Sequence, residues 1–261
     1  MSLDKFYTKP ETAKICIDLI PELDSYYTVI EPSAGSGSFS NQIECIAYDL
    51  VPEGNNIIQQ DYLSLKEKFP EHTLVIGNPP FGLRSSLAKL FIKQSISLGA
   101  ETIAFILPDT FDKLSNQKVF PKNWRLILSY KLEGVNFTID NKDYYVPCSF
   151  YVWTKREGDF NLRQVILPQS SLFKFLNRGD KNADFVINGN NGKVKNINEV
   201  TNPKGEHYIY IIDRKNIDVI RNFFTTANYD FKSSVNGNNA WLGQQDILKY
   251  FYQNFDKKHL K

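Results

Sequence analysis

The chain has 261 residues, 42% of them apolar, enough for one large domain or for one domain with a smaller annex around a real core. No apolar run approaches a membrane span and no signal-peptide pattern stands at Met1, so a cytoplasmic setting is expected; Cys16, Cys45 and Cys148 form no CxxC pair and do not cluster with His72, His207 or His259, so no metal is expected. The net charge is only +2, but five Lys/Arg face twelve Asp/Glu over residues 1–80, whereas twenty-six face seventeen over residues 81–261, and a basic remainder suits a polyanionic partner.

Thr8, Lys9, Pro10 and Glu11 open a predicted helix, with Thr8 as its cap and Pro10 in its first turn, and Ile15, Leu19 and Ile20 continue its apolar stripe. Short buried strands are predicted at residues 28–30, 45–50 and 74–76. A helix follows over residues 86–98, then strands at 102–107, 124–132 and 146–154. Buried strands separated by helices predict a mainly parallel α/β sheet, its last two strands forming an antiparallel pair at the edge.

The texture changes after residue 156, where Asn-rich stretches at 188–198 and 236–239 read as turns between short β-like runs at 183–187 and 207–212. Amphipathic helices are predicted at 215–224 and 244–255. The expected organisation is a catalytic domain over 1–156 and a small α+β annex over 157–261.

The first strand runs into "EPSAGSGSF", residues 31–39. In an open α/β sheet ligands bind beyond the carboxyl ends of strands, and Gly35 and Gly37 let the backbone approach a ligand closely. Ser40 stands where a dinucleotide GxGxxG would have its third glycine, and no Lys-Ser/Thr follows to grip phosphate. Asp49 ends the second strand, placed for the hydroxyls of a ribose; its closeness to the glycine turn predicts a brief intervening helix. Asp61, beside Tyr62 and Leu63, can accept from an adenine amino group while its neighbours cover the ring.

The third strand ends in "NPPF", residues 78–81. An aromatic exocyclic amine is a poor nucleophile because its lone pair is delocalised. Acceptors aimed at both amino hydrogens favour the pyramidal state that attacks a sulfonium methyl group. The Asn78 side-chain oxygen and the Pro79 carbonyl can be those acceptors, Pro79 and Pro80 fix the turn, and Phe81 can stack on the base. A base in a duplex reaches such a pocket only when flipped out.

In this order the motifs resemble those of the S-adenosylmethionine-dependent N6-adenine methyltransferases whose cofactor motifs precede the target-recognition part. "FYTKPE" (residues 6–11) resembles that family's N-terminal cofactor motif, "EPSAGSGSF" its glycine motif, and "NPPF" its (D/N/S)PP(Y/F/W) signature. The resemblance covers residues 4–155 and implies a class I, Rossmann-like fold. It implies a cofactor site of Tyr7, Thr8, Pro10, Glu31, Pro32, Gly35, Gly37, Asp49, Asp61, Tyr62 and Asn78. Phe137, with Tyr145 in reserve, is the candidate second ring across the base. The annex stands where the family has its target-recognition region. The expected partner is nucleic acid, DNA before RNA, with Arg163, Lys174, Arg178, Lys181, Lys193 and Lys195 on its phosphates. Two alternatives are weighed. A glutamine side-chain methyltransferase uses a similar turn but is expected to carry Tyr there and a helical domain ahead of the fold. A catalytically silent binding module is disfavoured by the intact motif set.

Overall fold

The computed structural model describes residues 6–140, 142–229 and 241–256. It divides into two compact units, residues 1–164 and 165–261. Residues 157–164 therefore go with the first unit rather than with the annex. The reason lies in Arg125 and Arg163: Arg125 donates to the carbonyls of Arg156, Glu157 and Phe160, and Leu126 N–H donates to Asn161 Oδ1.

The first unit holds β1 (Tyr7–Thr8), α1 (Pro10–Asp18), β2 (Thr28–Glu31), β3 (Ile46–Asp49), β4 (Ile57–Gln59), β5 (Thr73–Gly77), α2 (Ser86–Leu98), β6 (Thr102–Pro108), α3 (Leu114–Gln117), β7 (Arg125–Leu132), β8 (Phe137–Ile139), β9 (Lys142–Tyr144) and β10 (Cys148–Thr154). Its main sheet has the order β4-β3-β2-β5-β6-β10-β7. The strands from β4 to β6 run parallel, and β10 enters antiparallel to both β6 and β7. This is the expected Rossmann-like α/β sheet of class I type. The strand predicted at 146–154 lies inside the pair, and β7 forms the edge.

Burial accounts for the central strands. Every residue of β5, β6 and β10 is buried, so these runs are apolar without alternation. Against them α2 sets Ala88, Phe91, Ile92, Ser95 and Leu98, and it stops where Gly99 takes φ +107°. The same core holds Phe120 stacked on Trp153 at 4.1 Å.

Three features depart from the sequence reading. β4 was not predicted, since a three-residue strand with two exposed positions carries little pattern. No α-helix forms between β2 and β3. Gly35 and Gly37 take φ +56° and +90°, and the Ser40 amide donates to Glu31 rather than up a helical ladder. Finally, Thr8 belongs to β1, which pairs with β8 in a three-stranded sheet β1-β8-β9; Lys9 precedes the helix, and no side chain caps it.

The second unit is α+β: β11 (Phe173–Leu176), β12 (Phe185–Asn188), β13 (Val194–Lys195), β14 (Glu206–Ile211), α4 (Ile217–Thr225) and α5 (Gln244–Asn254), with an antiparallel sheet β11-β14-β12-β13. Its core gathers Phe173, Phe185, Phe224 and Phe251, and the Phe173 ring meets those of Phe224 and Phe251 edge to face. The Asn-rich stretch at 236–239 lies outside the described residues.

Candidate active site

A cavity of about 350 Å³ opens at the carboxyl ends of β2, β3 and β5. From the glycine turn Glu31, Pro32 and Gly35 line it. Tyr7 and Thr8 come from β1, Asp49 from the end of β3, and Asp61 and Tyr62 from the segment after β4. Asn78, Pro79, Pro80 and Phe81 enter from the exit of β5. Segments fifty residues apart, from Glu31 to Phe81, thus meet because the parallel strands all deliver their carboxyl ends to one edge.

Each wall has a traceable cause. Asp49 accepts from the Gly35 amide at 2.7 Å and the Val51 amide at 2.8 Å, so its carboxylate shapes the glycine turn from the neighbouring strand. A carboxylate has about four lone-pair directions, which leaves acceptor capacity for hydroxyls of a bound ligand. The Tyr7 ring lies against Gly35, where an added Cβ would sit 3.4 Å from Tyr7 Cε1, and its hydroxyl donates to Glu53 at 2.6 Å. Ser38 ties the same turn to β1 through the Thr8 carbonyl. Asp61 accepts from the Leu63 amide at 2.9 Å and is itself exposed.

Glu31 is 2% exposed. Burial pushes its carboxyl up to about 7, against the opposing effect of the Ser40 amide at 3.0 Å. Its chain packs on Gly77, the last residue of β5, which has φ +147° and would set a Cβ 3.4 Å from Glu31 Cγ. Glycine is favoured there by the backbone, since a Cβ would find only ordinary contacts.

Asn78 is the most informative residue. Its Nδ2 donates to the Phe6 carbonyl at 3.2 Å, and its own carbonyl accepts from Ser33 Oγ at 3.1 Å. The contact with Phe6 fixes the amide orientation, because a flipped amide would bring two oxygens together. Asn78 Oδ1 is then buried with no hydrogen-bond partner. An unmet buried acceptor costs about 1–3 kcal/mol, so an acceptor is held ready at a cavity wall at the expense of stability.

Several predicted residues are placed differently. Pro10 and Gly37 do not line the cavity: Pro10 starts α1, where its carbonyl accepts from Gln42, and Gly37 serves the turn. Tyr62 borders the cavity from within the core, stacked on Phe91 at 5.5 Å and bonded to Ser95, so its ring offers no open face. Phe137 is fully buried under Phe6, at 6.3 Å, and cannot face a base in this arrangement; Tyr145 is 55% exposed but does not line the cavity. Phe81 is 3% exposed, its ring covered by Phe6 at 6.1 Å and 27° between planes. A base stacking on Phe81 therefore requires the Phe6 ring to turn away. In the sequence Phe6 is legible only as the first residue of its motif. A single Phe ahead of a strand carries no signal that its carbonyl orients a side chain 72 residues later.

The predicted phosphate contacts also separate. Arg163 is spent inside the first unit, donating to the carbonyls of Gln117, Phe120, Pro121 and Trp124, and is not available to phosphate. Lys195 forms a 2.9 Å ion pair with Glu206, whose side chain is 3% exposed. Lys174 lies over the Tyr210 ring at 5.0 Å. Arg178, Lys181 and Lys193 are exposed on the second unit. Among the described residues no group of three or more His, Cys, Asp or Glu could hold a metal ion, and no helix is long and apolar enough to cross a membrane. Burial pushes the Cys45 thiol up to about 12 and raises Cys16 and Cys148 as well, which leaves all three unreactive near neutrality.

No protein-family model matches the chain. Protein ENHANCED DOWNY MILDEW 2 of Arabidopsis thaliana is 26% identical over 179 residues, which is 62% of this chain. The chain spans only about 13% of that relative's length. Among solved structures, a candidate RNA methyltransferase from Pyrococcus horikoshii aligns at a TM-score of 0.46 and 15% identity, over 58% of this chain and 87% of that one. Magnesium protoporphyrin IX methyltransferase from Synechocystis, solved with bound S-adenosylmethionine, aligns at 0.42 and 14% identity, over 56% and 78%.

Proposed function

We propose that the first unit is an S-adenosylmethionine-dependent methyltransferase acting on the N6 amino group of adenine in nucleic acid, with DNA favoured over RNA. The observation that carries this reading is the buried, unpartnered Asn78 Oδ1 in the wall of a cavity that also holds the glycine turn and two carboxylates. An acceptor kept unmet in the resting protein suits a donor that arrives with the substrate, and an aromatic amine brings two N–H donors.

The residues present fit the cofactor. Gly35 admits the Tyr7 ring against the turn at the cavity wall, and Asp49 retains capacity for ribose hydroxyls. Asp61 is exposed at the rim for the adenine amine. When bound, the cofactor supplies an electrophilic methyl group on a sulfonium. The chain's own part is positioning: Asn78 Oδ1 and the Pro79 carbonyl accept the amino hydrogens, the two prolines hold them in place, and Phe81 sets the plane of the base. The spare proton leaves to water once the nitrogen is alkylated, so no strong base is needed.

The test is incubation with methyl-labelled cofactor and separate DNA, RNA and protein pools, followed by nucleoside and amino-acid analysis. Label recovered as N6-methyladenine supports the reading, and the pool carrying it decides between DNA and RNA. Label confined to protein, or recovered in no pool, refutes it.

A further inference from the structure

Immediately after the proposed catalytic turn stands a loop with left-handed backbone and an exposed apolar crest. The Phe81 carbonyl accepts from the amides of Leu87 at 3.1 Å and Ala88 at 3.3 Å, which pins the start of α2 to the turn. The four residues between, Gly82 to Ser85, must then bulge outward. Gly82, Arg84 and Ser85 take φ of +65°, +52° and +60°. For glycine this is unstrained, and a Cβ at Gly82 would in any case meet Leu87 Cγ at 2.8 Å. For Arg84 and Ser85 the left-handed region is unfavourable, so the loop stores backbone strain. Ser85 is buried and anchors the bulge; Leu83, at its crest, is 81% exposed. Arg84 beside it is exposed, and its guanidinium makes no ion pair or hydrogen bond among the described residues.

Two expenses meet in this loop, strained backbone and a large apolar side chain in water, and neither is returned by contacts within the first unit. Both are returned if the crest enters an apolar gap lined by phosphates. Leu83 lies two residues beyond Phe81, within roughly 7 Å of extended chain, which is the scale of a single vacated base position. A base flipped into the cavity leaves such a gap in the stack, and an apolar wedge filling it offsets part of the unstacking penalty.

Resting on the nucleic-acid reading above, we infer that Leu83 is a wedge inserted into duplex nucleic acid where the target base has left the stack, with Arg84 holding the adjacent phosphate. The substrate form of this protein is then a paired duplex, and Leu83 is a positioning residue that acts on the open state of the substrate. Selection between paired and unpaired targets resides in this loop.

The experiment compares wild type with Leu83→Ala, Leu83→Asn, Leu83→Met and Arg84→Gln. The substrates are three oligonucleotides carrying the methylated site: a matched duplex, the same duplex with an abasic position opposite the target, and the single strand. Leu83→Ala is expected to raise the ratio of kcat/KM on the abasic-opposed to the matched duplex about tenfold, Leu83→Asn to do the same, and Leu83→Met to restore the wild-type ratio. With 2-aminopurine at the target, wild type brightens on binding the matched duplex and Leu83→Ala brightens less. Arg84→Gln is expected to weaken all three substrates and to lower the slope of log K against log salt by about one. Leu83 is exposed, so an unchanged urea midpoint certifies each variant as folded. A wild-type ratio in Leu83→Ala, with methylation intact, overturns the wedge while the proposed activity stands. Failure of the wild type to methylate any of the three overturns both.

Discussion

Glu31 lets the electrostatics of the cavity be tested without any substrate. Its carboxyl is buried beside Gly77, and its native value rises from 4.5 to about 7, mainly through burial. A carboxyl with a raised native value binds its proton more tightly when folded than when unfolded. The native state then holds more protons between about pH 4.5 and 7, and stability falls as pH rises through that window. The penalty is absent below the unfolded value and fully present above the folded one. A shift from 4.5 to about 7 corresponds to about 3 kcal/mol. Glu31→Gln keeps an oxygen for the Ser40 amide but does not titrate. Its new amide adds an offset that does not vary with pH. The stability of the variant relative to wild type is therefore expected to climb by up to about 3 kcal/mol between pH 4.5 and 8. Urea unfolding at half-unit pH intervals, followed through the transition of the first unit, measures this directly. Parallel stability curves for the two proteins would refute the assignment of Glu31 as a buried carboxylate forced to ionise.

Asn78→Ala is expected to lower turnover by about 100-fold or more while cofactor affinity, by calorimetry, and stability stay near wild type; it deletes an unmet acceptor worth about 1–3 kcal/mol along with one ordinary hydrogen bond. Equal loss of binding and turnover would remove it from the chemistry. Asp49→Ala leaves the Gly35 and Val51 amides without their acceptor, so cofactor affinity and first-unit stability should fall together, the latter by about 1–3 kcal/mol; an unchanged dissociation constant counts against it. Gly77→Ala is expected to destabilise by about 1–3 kcal/mol through its positive φ, read as a lowered urea midpoint. Lys195→Ala should destabilise the second unit, because Glu206 would be left buried without its cation, whereas Lys193→Ala should not; a thermal melt separates the two.

The order of the motifs and the run of buried strands are properties of local sequence, and they were legible because each depends on neighbours a few residues away. The glycine turn after β2 and the carboxylate after β3 follow from strand ends that a period and a Gly-x-Gly announce. The absence of a helix between them was not legible. It depends on the Ser40 amide turning to Glu31 and the Gly35 amide turning to Asp49, backbone to side-chain contacts that residue identities alone do not announce.

Charge shows the same division. Counting placed the cations in the later residues, and Arg178, Lys181 and Lys193 are indeed exposed there. Only packing reveals that Arg163 is consumed by four backbone carbonyls and Lys195 by a buried carboxylate. Likewise Phe137 reads as an aromatic near the pocket, yet pairing of β1 with β8 lays Phe6 over it and buries it completely. The sequence by itself determined which polar and aromatic side chains follow which strand. Tertiary structure alone decided which of them face the cavity, because the backbone of Phe6 orients Asn78 and the ring of Phe6 covers Phe81, and those contacts join residues that the chain separates by more than seventy positions.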